Sequence, residues 1–390
     1  MKVLHLNYSD TGGTGIAIQR FNKELNNLIN CKIYVSNKCT SNQNVETFND
    51  YSFKIGKILR PKISYFFKIF AFDRKFTSTP AILNSRWIKF INNSDYDIIN
   101  LHWINCEMLS IEEIGKIEKK VCWTFHDMWP FCGGENISFD TRYIHGYPKD
   151  KIFRGFDYNA WMWKRKKKNW NNIKHIISPS HNHKKLILNS KLFHNASVEV
   201  IYNGIDLDIW RRKNIGITKK NRSDQKVKIL YIYSWGKIIK GLDLFLDIIL
   251  RLNKICEKNF ILLLCGDVPK NVLLILKNNK IEYQFYKNIT KEKDLIEIYN
   301  SADITMISSR AETLPNVGVE SLAMDLPIVA FEDTGSVDLI DDQKNGYLVK
   351  KFDTVEFAEK INDLVLNSKL RKNFSEASKL KKKKIFFKKK

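Results

Sequence analysis

Two glutamates, Glu312 and Glu320, stand eight positions apart in Ser308-Ser309-Arg310-Ala311-Glu312-Thr313-Leu314-Pro315-Asn316-Val317-Gly318-Val319-Glu320. A short apolar run precedes the first, Pro315 marks a turn, and an apolar helical pattern carries the second. That order places Glu312 on a loop at a strand's carboxyl end and Glu320 about one turn into the next helix. Backbone N–H groups at the start of such a helix lack partners within it, so they offer a seat for phosphate. Lys240-Gly241 precedes the apolar stretch Leu242-Asp243-Leu244-Phe245, with Lys237 three positions earlier. A cation fixed at such a helix start would attract an anionic group. Near the amino terminus, Gly12, Gly13 and Gly15 follow a strand-like run and open a helix, letting the backbone approach a ligand closely. Their spacing meets neither the dinucleotide fingerprint nor the P-loop pattern.

All eight histidines fall in the first half of the chain. His102 ends the run Ile98-Ile99-Asn100-Leu101, and His126 ends Val121-Cys122-Trp123-Thr124-Phe125. Side chains at the carboxyl ends of parallel strands collect around ligands, so both are candidates for the site. His181 and His183, two apart at a helix start, point different ways and lack partners for a metal. The seven cysteines are irregularly spaced with no C-x-x-C pair, which suggests neither a disulfide framework nor a zinc site and fits a reducing cytoplasm. No metal or other cofactor is expected.

Strand-like runs alternate with longer amphipathic segments, the pattern of βαβ units around parallel sheets. One set comprises Val3–Leu6, Cys31–Val35, Ile98–His102 and Val121–Phe125; a second comprises Ile229–Tyr233, Phe260–Leu264, Ile304–Ile307 and Pro327–Phe331. Residues 211–227 between them are polar and charged, and read as a linker. The expected class is α/β, with two tandem doubly wound, Rossmann-like domains, 1–210 and 228–365, facing a cleft, and a helix with a lysine-rich tail over 366–390.

The E-x7-E segment, followed by small residues, Pro327 and a strand, resembles the signature of GT4-like glycosyltransferases of the GT-B fold. Lys240-Gly241 resembles that family's K-G element, and Thr124-Phe125-His126-Asp127-Met128-Trp129-Pro130-Phe131-Cys132-Gly133-Gly134 is similar to a segment of colanic-acid-type and other exopolysaccharide glycosyltransferases. Ser178-Pro179-Ser180, Asn203-Gly204-Ile205-Asp206, Cys265-Gly266-Asp267 and Asn345-Gly346-Tyr347-Leu348-Val349 extend the likeness over nearly the whole chain. The resemblance implies that Glu320 holds the ribose hydroxyls of a nucleotide-sugar donor. It also implies that Glu312 and the backbone of Thr313, Leu314, Pro315 and Asn316 meet the donor sugar, and that Lys240 neutralises the diphosphate. His126 would face the donor sugar, His102 would lie on the acceptor side, and the glycine-rich loop would close against donor and acceptor. The implied reaction is a metal-independent, retaining transfer to a saccharide or lipid-linked saccharide in cell-surface polysaccharide biosynthesis. Two departures stand out: Asp325 where the family has a small residue, often glycine, and Trp235 where many relatives have an arginine.

The net charge of +23 invites a nucleic-acid or anionic-membrane partner. Eight lysines among the last twelve residues account for part of it. The stretch Trp161-Met162-Trp163-Lys164-Arg165-Lys166-Lys167-Lys168-Asn169-Trp170 is the best case for nucleic acid, but no recognised nucleic-acid motif accompanies it, and none is expected as partner. A catalytically inactive sugar-nucleotide binder is the other alternative. Apolar runs are too short or too interrupted to span a membrane. Residues 52–72 instead combine Lys54, Lys57, Arg60, Lys62 and Lys68 with Phe66, Phe67, Phe70 and Phe72 and no acid, which fits either a segment that docks a cytoplasmic protein on anionic lipid or one whose phenylalanines pack into the first core while its lysines face water.

Overall fold

The computed structural model describes residues 1–48, 51–70, 78–149, 155–212, 226–233, 238–256, 259–289 and 291–386, with the backbone alone at 51–57, 64 and 68. The chain divides into two compact units, Met1–Asn203 and Gly204–Lys390. The boundary falls before the expected 210, because Trp210 is fully buried in a second-unit cluster with Tyr299, Leu263 and Leu326. Most of the expected linker, 213–225, lies outside the described residues.

In the first unit the order is β1 (Lys2–Ser9), α1 (Gly12–Leu25), β2 (Asn30–Asn37), β3 (Val45–Glu46), α2 (Tyr51–Phe67), α3 (Trp87–Asn93), β4 (Ile98–Leu101), α4 (Ile111–Gly115), β5 (Lys120–Thr124), α5 (Tyr158–Asn169), β6 (His175–Ser178), α6 (His181–Asn189) and β7 (Ser197–Val200). The described strands form one parallel sheet ordered β3-β2-β1-β4-β5-β6-β7. Leu4, Leu6, Ile99, Leu101, Trp123 and Ile176 fill its core.

The second unit runs β8 (Val227–Tyr233), α7 (Leu242–Ile255), β9 (Phe260–Gly266), α8 (Lys270–Asn278), β10 (Tyr283–Tyr286), α9 (Glu292–Ser301), β11 (Ile304–Ile307), α10 (Asn316–Ala323), β12 (Ile328–Phe331), β13 (Gly346–Val349), α11 (Thr354–Leu366) and α12 (Ser368–Phe386). Its parallel sheet is ordered β10-β9-β8-β11-β12-β13. Every residue of β11 and β12 is buried, as continuous apolar runs require when helices cover both faces of a sheet. In both sheets the connection reverses direction beside the first strand, between β1 and β4 and between β8 and β11. Those are the places where an open α/β sheet leaves a crevice at its strands' carboxyl ends.

Two charged segments behave differently from their composition. In the run 161–170, Lys166 is fully buried and Arg165 pairs with Glu112 at 2.7 Å while donating to the carbonyls of Pro80 and Ala81. These two cations hold the first unit together, whereas Lys164, Lys167 and Lys168 of the same run are exposed. The carboxyl-terminal lysines continue α12 to Phe386, where Lys381 pairs with Asp341 at 2.8 Å and Lys382 with Asp325 at 2.5 Å. Asp325 itself has φ +56°, a left-handed conformation that glycine adopts freely and aspartate tolerates better than most residues. The departure from a small residue therefore keeps the turn, and the carboxylate gained there anchors α12.

Candidate active site

At the β8–β11 switch point, the loop before α7 and the loop after β11 are stitched together. Gly241 caps α7 with φ +62°, and a Cβ there would stand 2.0 Å from the Ser308 carbonyl oxygen. Only glycine permits that approach. Ser308 Oγ donates to the carbonyls of Lys240 and Gly241 at 3.2 and 3.1 Å. Arg310 N–H donates to the Ile239 carbonyl at 2.7 Å, and its guanidinium reaches the Ile238 carbonyl at 2.8 Å and both carboxylate oxygens of Asp243. That guanidinium holds the Asp243 carboxyl below the usual range. The result fixes Lys240, whose Nζ donates to Glu312 Oε1 at 2.6 Å, with side chains 23% and 13% exposed. Lys237 and Trp235 lie outside the described residues.

Beyond Glu312, the chain is pinned by Gly335, whose N–H donates to the Glu312 carbonyl at 2.7 Å. A Cβ on Gly335 would lie 1.9 Å from the Thr313 oxygen. Thr313 is half-buried, Leu314 and Pro315 are buried, Pro315 caps α10, and Asn316 is its first residue. Glu320 follows one turn later, 5% exposed, and its Oε2 accepts from the Tyr299 hydroxyl at 2.8 Å. Tyr299 stands edge-on to Trp210, their ring centroids 5.4 Å apart. Sequence reasoning missed Tyr299, which carries no motif, and gave no role to Arg310 or Asp243, although these two lie within the segments that carry Glu312 and Lys240.

In the first unit, Gly12 has φ +75° and with Gly13 lies exposed at the start of α1. Gly15 is buried, and a Cβ there would stand 2.5 Å from the Asp10 backbone, so it packs α1 against its loop. His5 from β1, His102 after β4 and His126 after β5 make a row across adjacent strands. His5 Nδ1 and His102 Nε2 are 3.0 Å apart, as are His102 Nδ1 and His126 Nε2. Burial lowers all three, His5 and His126 to about 4 and His102 well below its ordinary value, so the imidazoles are neutral.

Asp127 anchors the loop that carries His126. Its carboxylate accepts from Trp103 Nε1 at 2.7 Å, Asn105 Nδ2 at 3.1 Å, Asn136 Nδ2 at 2.9 Å and the Trp129 N–H at 3.0 Å, while burial pushes it up to about 7. Lys166 closes the same loop from α5, donating to the carbonyls of Trp129, Cys132 and Gly133 and lying 4.1 Å from the Trp129 ring centroid. Burial lowers this lysine to about 7. Gly134 fits because a Cβ would clash with the Tyr158 ring at 2.3 Å.

These segments match known proteins. Residues 11–209, just over half of the chain, match the family model described as Glycosyltransferase Family 4, and residues 215–381 match Glycosyl transferases group 1. The chain belongs to glycosyltransferase family 4. Over 162 residues it is 30% identical to the amylovoran biosynthesis glycosyltransferase AmsD of Erwinia amylovora, covering 41% of this chain and 43% of that protein. It is 31% identical over 78 residues to the capsular polysaccharide biosynthesis glycosyltransferase CapM of Staphylococcus aureus, 20% of each chain. The chain thus spans less than half the length of these curated relatives in alignment. Among solved structures, Anabaena HepE in complex with UDP and glucose aligns over 99% of this chain and 95% of its own at TM-score 0.64 and 15% identity. Sucrose-phosphate synthase from Thermosynechococcus elongatus aligns over 99% and 94% at TM-score 0.65 and 12% identity. This family-4 chain has the GT-B fold.

Proposed function

We propose that the chain transfers a sugar from a nucleoside diphosphate sugar to a saccharide or lipid-linked saccharide during cell-surface polysaccharide synthesis, with retention at the anomeric carbon and without a metal. The observation that carries this reading is the ammonium of Lys240, held by Glu312 at the β8–β11 switch point beside the start of α10. A diphosphate seated there gains charge on its leaving oxygen as the bond to the anomeric carbon breaks. Lys240 and the α10 amides stabilise that charge as it develops. The acceptor hydroxyl bonds to the same face of the anomeric carbon, and its proton passes to the leaving phosphate oxygen. Glu320 holds the ribose, and His126 meets the sugar. The relatives named for amylovoran and capsular polysaccharide, and HepE with its bound UDP and glucose, support the substrate class.

Among the described residues no helix is long and apolar enough to cross a membrane. A lipid-linked acceptor suits the exposed row Ile58, Leu59, Tyr65, Phe66, Ile69 and Phe70 on α2 and the 3-10 turn Lys68–Phe70 that follows it. Of the basic residues expected to meet lipid, Lys62 is exposed and Arg60 is turned to the protein, while the side chains of Lys54, Lys57 and Lys68, and all of Phe72, lie outside the described residues. Arg60 donates to the carbonyls of Leu83, Asn84 and Glu107, and Phe67 packs on Tyr158.

Thermal shift with a panel of sugar nucleotides, followed by assay of nucleotide release with saccharide acceptors, tests the reading. One donor is expected to raise the melting temperature and to be consumed when an acceptor is present. Binding without consumption under all acceptors would identify an inactive binder, and no binding by any donor would overturn the reading.

A further inference from the structure

The first unit carries an aromatic pair at its own switch point, between β1 and β4. Tyr8 is the last but one residue of β1, Trp103 follows β4 by two residues, and both are half-buried. Side chains at the carboxyl ends of these two strands border the crevice that the reversal of direction leaves. The ring centroids stand 5.7 Å apart with their planes at 79°, so the pair makes a corner: a flat ligand laid against one ring meets the other at its edge.

Trp103 is anchored at three points. Its backbone N–H donates to Asn7 Oδ1 at 2.9 Å, its carbonyl accepts from the Tyr8 N–H at 2.8 Å, and its indole N–H donates to Asp127 Oδ2 at 2.7 Å. Asn7 is itself buried and donates to the Ser9 carbonyl at 2.6 Å. These bonds orient the indole before any ligand arrives, so binding there orders little further side chain. Burial raises the Tyr8 phenol to about 12, which keeps its hydroxyl neutral and able to donate. Next to the corner, the hydroxyls of half-buried Ser9 and exposed Thr11 lie 3.0 Å apart. Buried Asp10, between them in sequence, ties this edge to the loop after β2 by accepting from the N–H groups of Cys39 and Thr40 at 2.7 and 2.9 Å and from the Thr40 hydroxyl at 2.6 Å.

Rigid aromatic faces fringed by hydroxyls suit a ligand that is apolar on its face and polar at its rim. A pyranose ring has that character: its axial C–H bonds point at the electron-rich face of an aromatic ring, and its equatorial hydroxyls project sideways to polar partners. We propose that Tyr8 and Trp103 form a stacking platform for one sugar ring of the acceptor, with the Ser9 and Thr11 hydroxyls at its rim. That this sugar belongs to the acceptor rests on the transfer reading; the platform does not. Asp127 holds both Trp103 and the loop that carries His126, so the stacked ring takes a fixed place relative to that histidine. The corner thereby favours acceptors whose sugar offers an uninterrupted C–H face.

The test uses the full chain labelled with fluorotryptophan, its Trp103 resonance identified by loss in Trp103→Phe, and fluorine NMR during titration with the methyl glycosides of glucose, galactose, mannose and N-acetylglucosamine. At least one glycoside is expected to move the Trp103 resonance along a saturating curve, while sorbitol, which has the hydroxyls without the ring, leaves it in place. Tyr8→Leu removes the aromatic wall but keeps the backbone bond to Trp103, and is expected to raise the half-saturating concentration about tenfold; Tyr8→Phe, which keeps the ring, is expected to raise it less. The proposal is overturned if no glycoside moves Trp103, if sorbitol moves it equally, or if folded Tyr8→Leu titrates as the wild type does. A response to uridine diphosphate with none to the glycosides also overturns it, by assigning the corner to a nucleotide. Should Tyr8→Leu fail to fold, the wild-type comparison of glycosides with sorbitol still decides. Sugar transfer without a Trp103 response removes the platform and leaves the transfer reading standing, and a Trp103 response without transfer does the reverse.

Discussion

Lys240 Nζ and Glu312 Oε1 lie 2.6 Å apart, bringing together two site residues separated by 72 positions in sequence. Glu312 therefore sets the position of the cation, and in the proposed reaction it also offers a contact for the sugar. Glu312→Gln is expected to retain the binding of a nucleoside diphosphate and to lower turnover about tenfold or more, because the ammonium loses its fixed direction. Lys240→Ala is expected to lose diphosphate affinity and turnover while changing stability by less than about 1 kcal/mol, the pair being partly open to water. Calorimetric titration with the nucleotide and melting curves measure both. Unchanged affinity in Lys240→Ala would remove the lysine from the site.

Glu320 and Tyr299 make a second separable pair. Glu320→Ala is expected to weaken nucleotide binding by about 1–3 kcal/mol through lost charge-assisted bonds to ribose. It also strips the Tyr299 hydroxyl of its 2.8 Å acceptor, so stability falls too. Tyr299→Phe keeps the carboxylate and is expected to weaken nucleotide binding less. Equal losses from the two substitutions would mean that Glu320 serves packing alone.

Gly241→Ala tests the stitching of the two loops. The new methyl group would meet the Ser308 oxygen at 2.0 Å in a backbone conformation with φ +62°, so the loop must move. A loss of about 1–3 kcal/mol in stability is expected, together with a larger proportional loss of turnover than of melting temperature. A variant with wild-type stability and rate would show that the loop tolerates displacement.

Lys166 gives a pH dependence. Its folded-state value of about 7 lies below the ordinary 10.5, so between these values the unfolded chain binds a proton that the folded chain does not. Stability from this group therefore rises with pH from about 7 to 10.5, falls over the same window as pH drops, and is level below about 7, where both states hold the proton. Lys166→Met is expected to be less stable, by about 2–4 kcal/mol, because three carbonyls lose their donor. It should also lack that component of the slope. Parallel melting curves for wild type and variant between pH 7 and 9 would rule out the linkage.

The exposed row on α2 predicts that Phe66→Ser and Phe70→Ser reduce sedimentation with anionic vesicles more than Lys62→Ser does, since the aromatic side chains supply the inserted area. Lys383→Ser with Lys384→Ser serves as the control for the carboxyl-terminal charge. Equal recovery of the wild type with neutral and anionic vesicles would dismiss an anionic surface.

Several features were legible in the sequence because they are local. Buried parallel strands such as Ile304–Ile307 and Ile328–Phe331 need continuous apolar runs, and a loop that ends a strand and opens a helix announces itself by Pro315, Gly241 or Gly12. Glu312 on its loop and Glu320 one turn into α10 follow from that pattern alone. The short strands β3, β7 and β10 at the sheet edges did not stand out, being two to four residues long with mixed exposure.

Charge was the least legible quantity, because composition counts a lysine without saying what surrounds it. Lys166 and Arg165 looked like a solvated basic run, yet the turn of α5 against the first sheet puts one on three carbonyls and the other on Glu112. Arg60 and Lys382 likewise find their partners in loops remote in sequence. The three histidines show the same division most clearly. Sequence placed His102 and His126 at strand ends, but nothing linked them to His5. Only the lateral order β1-β4-β5, which parallel pairing sets and the chain order does not, brings the three rings into one hydrogen-bonded row.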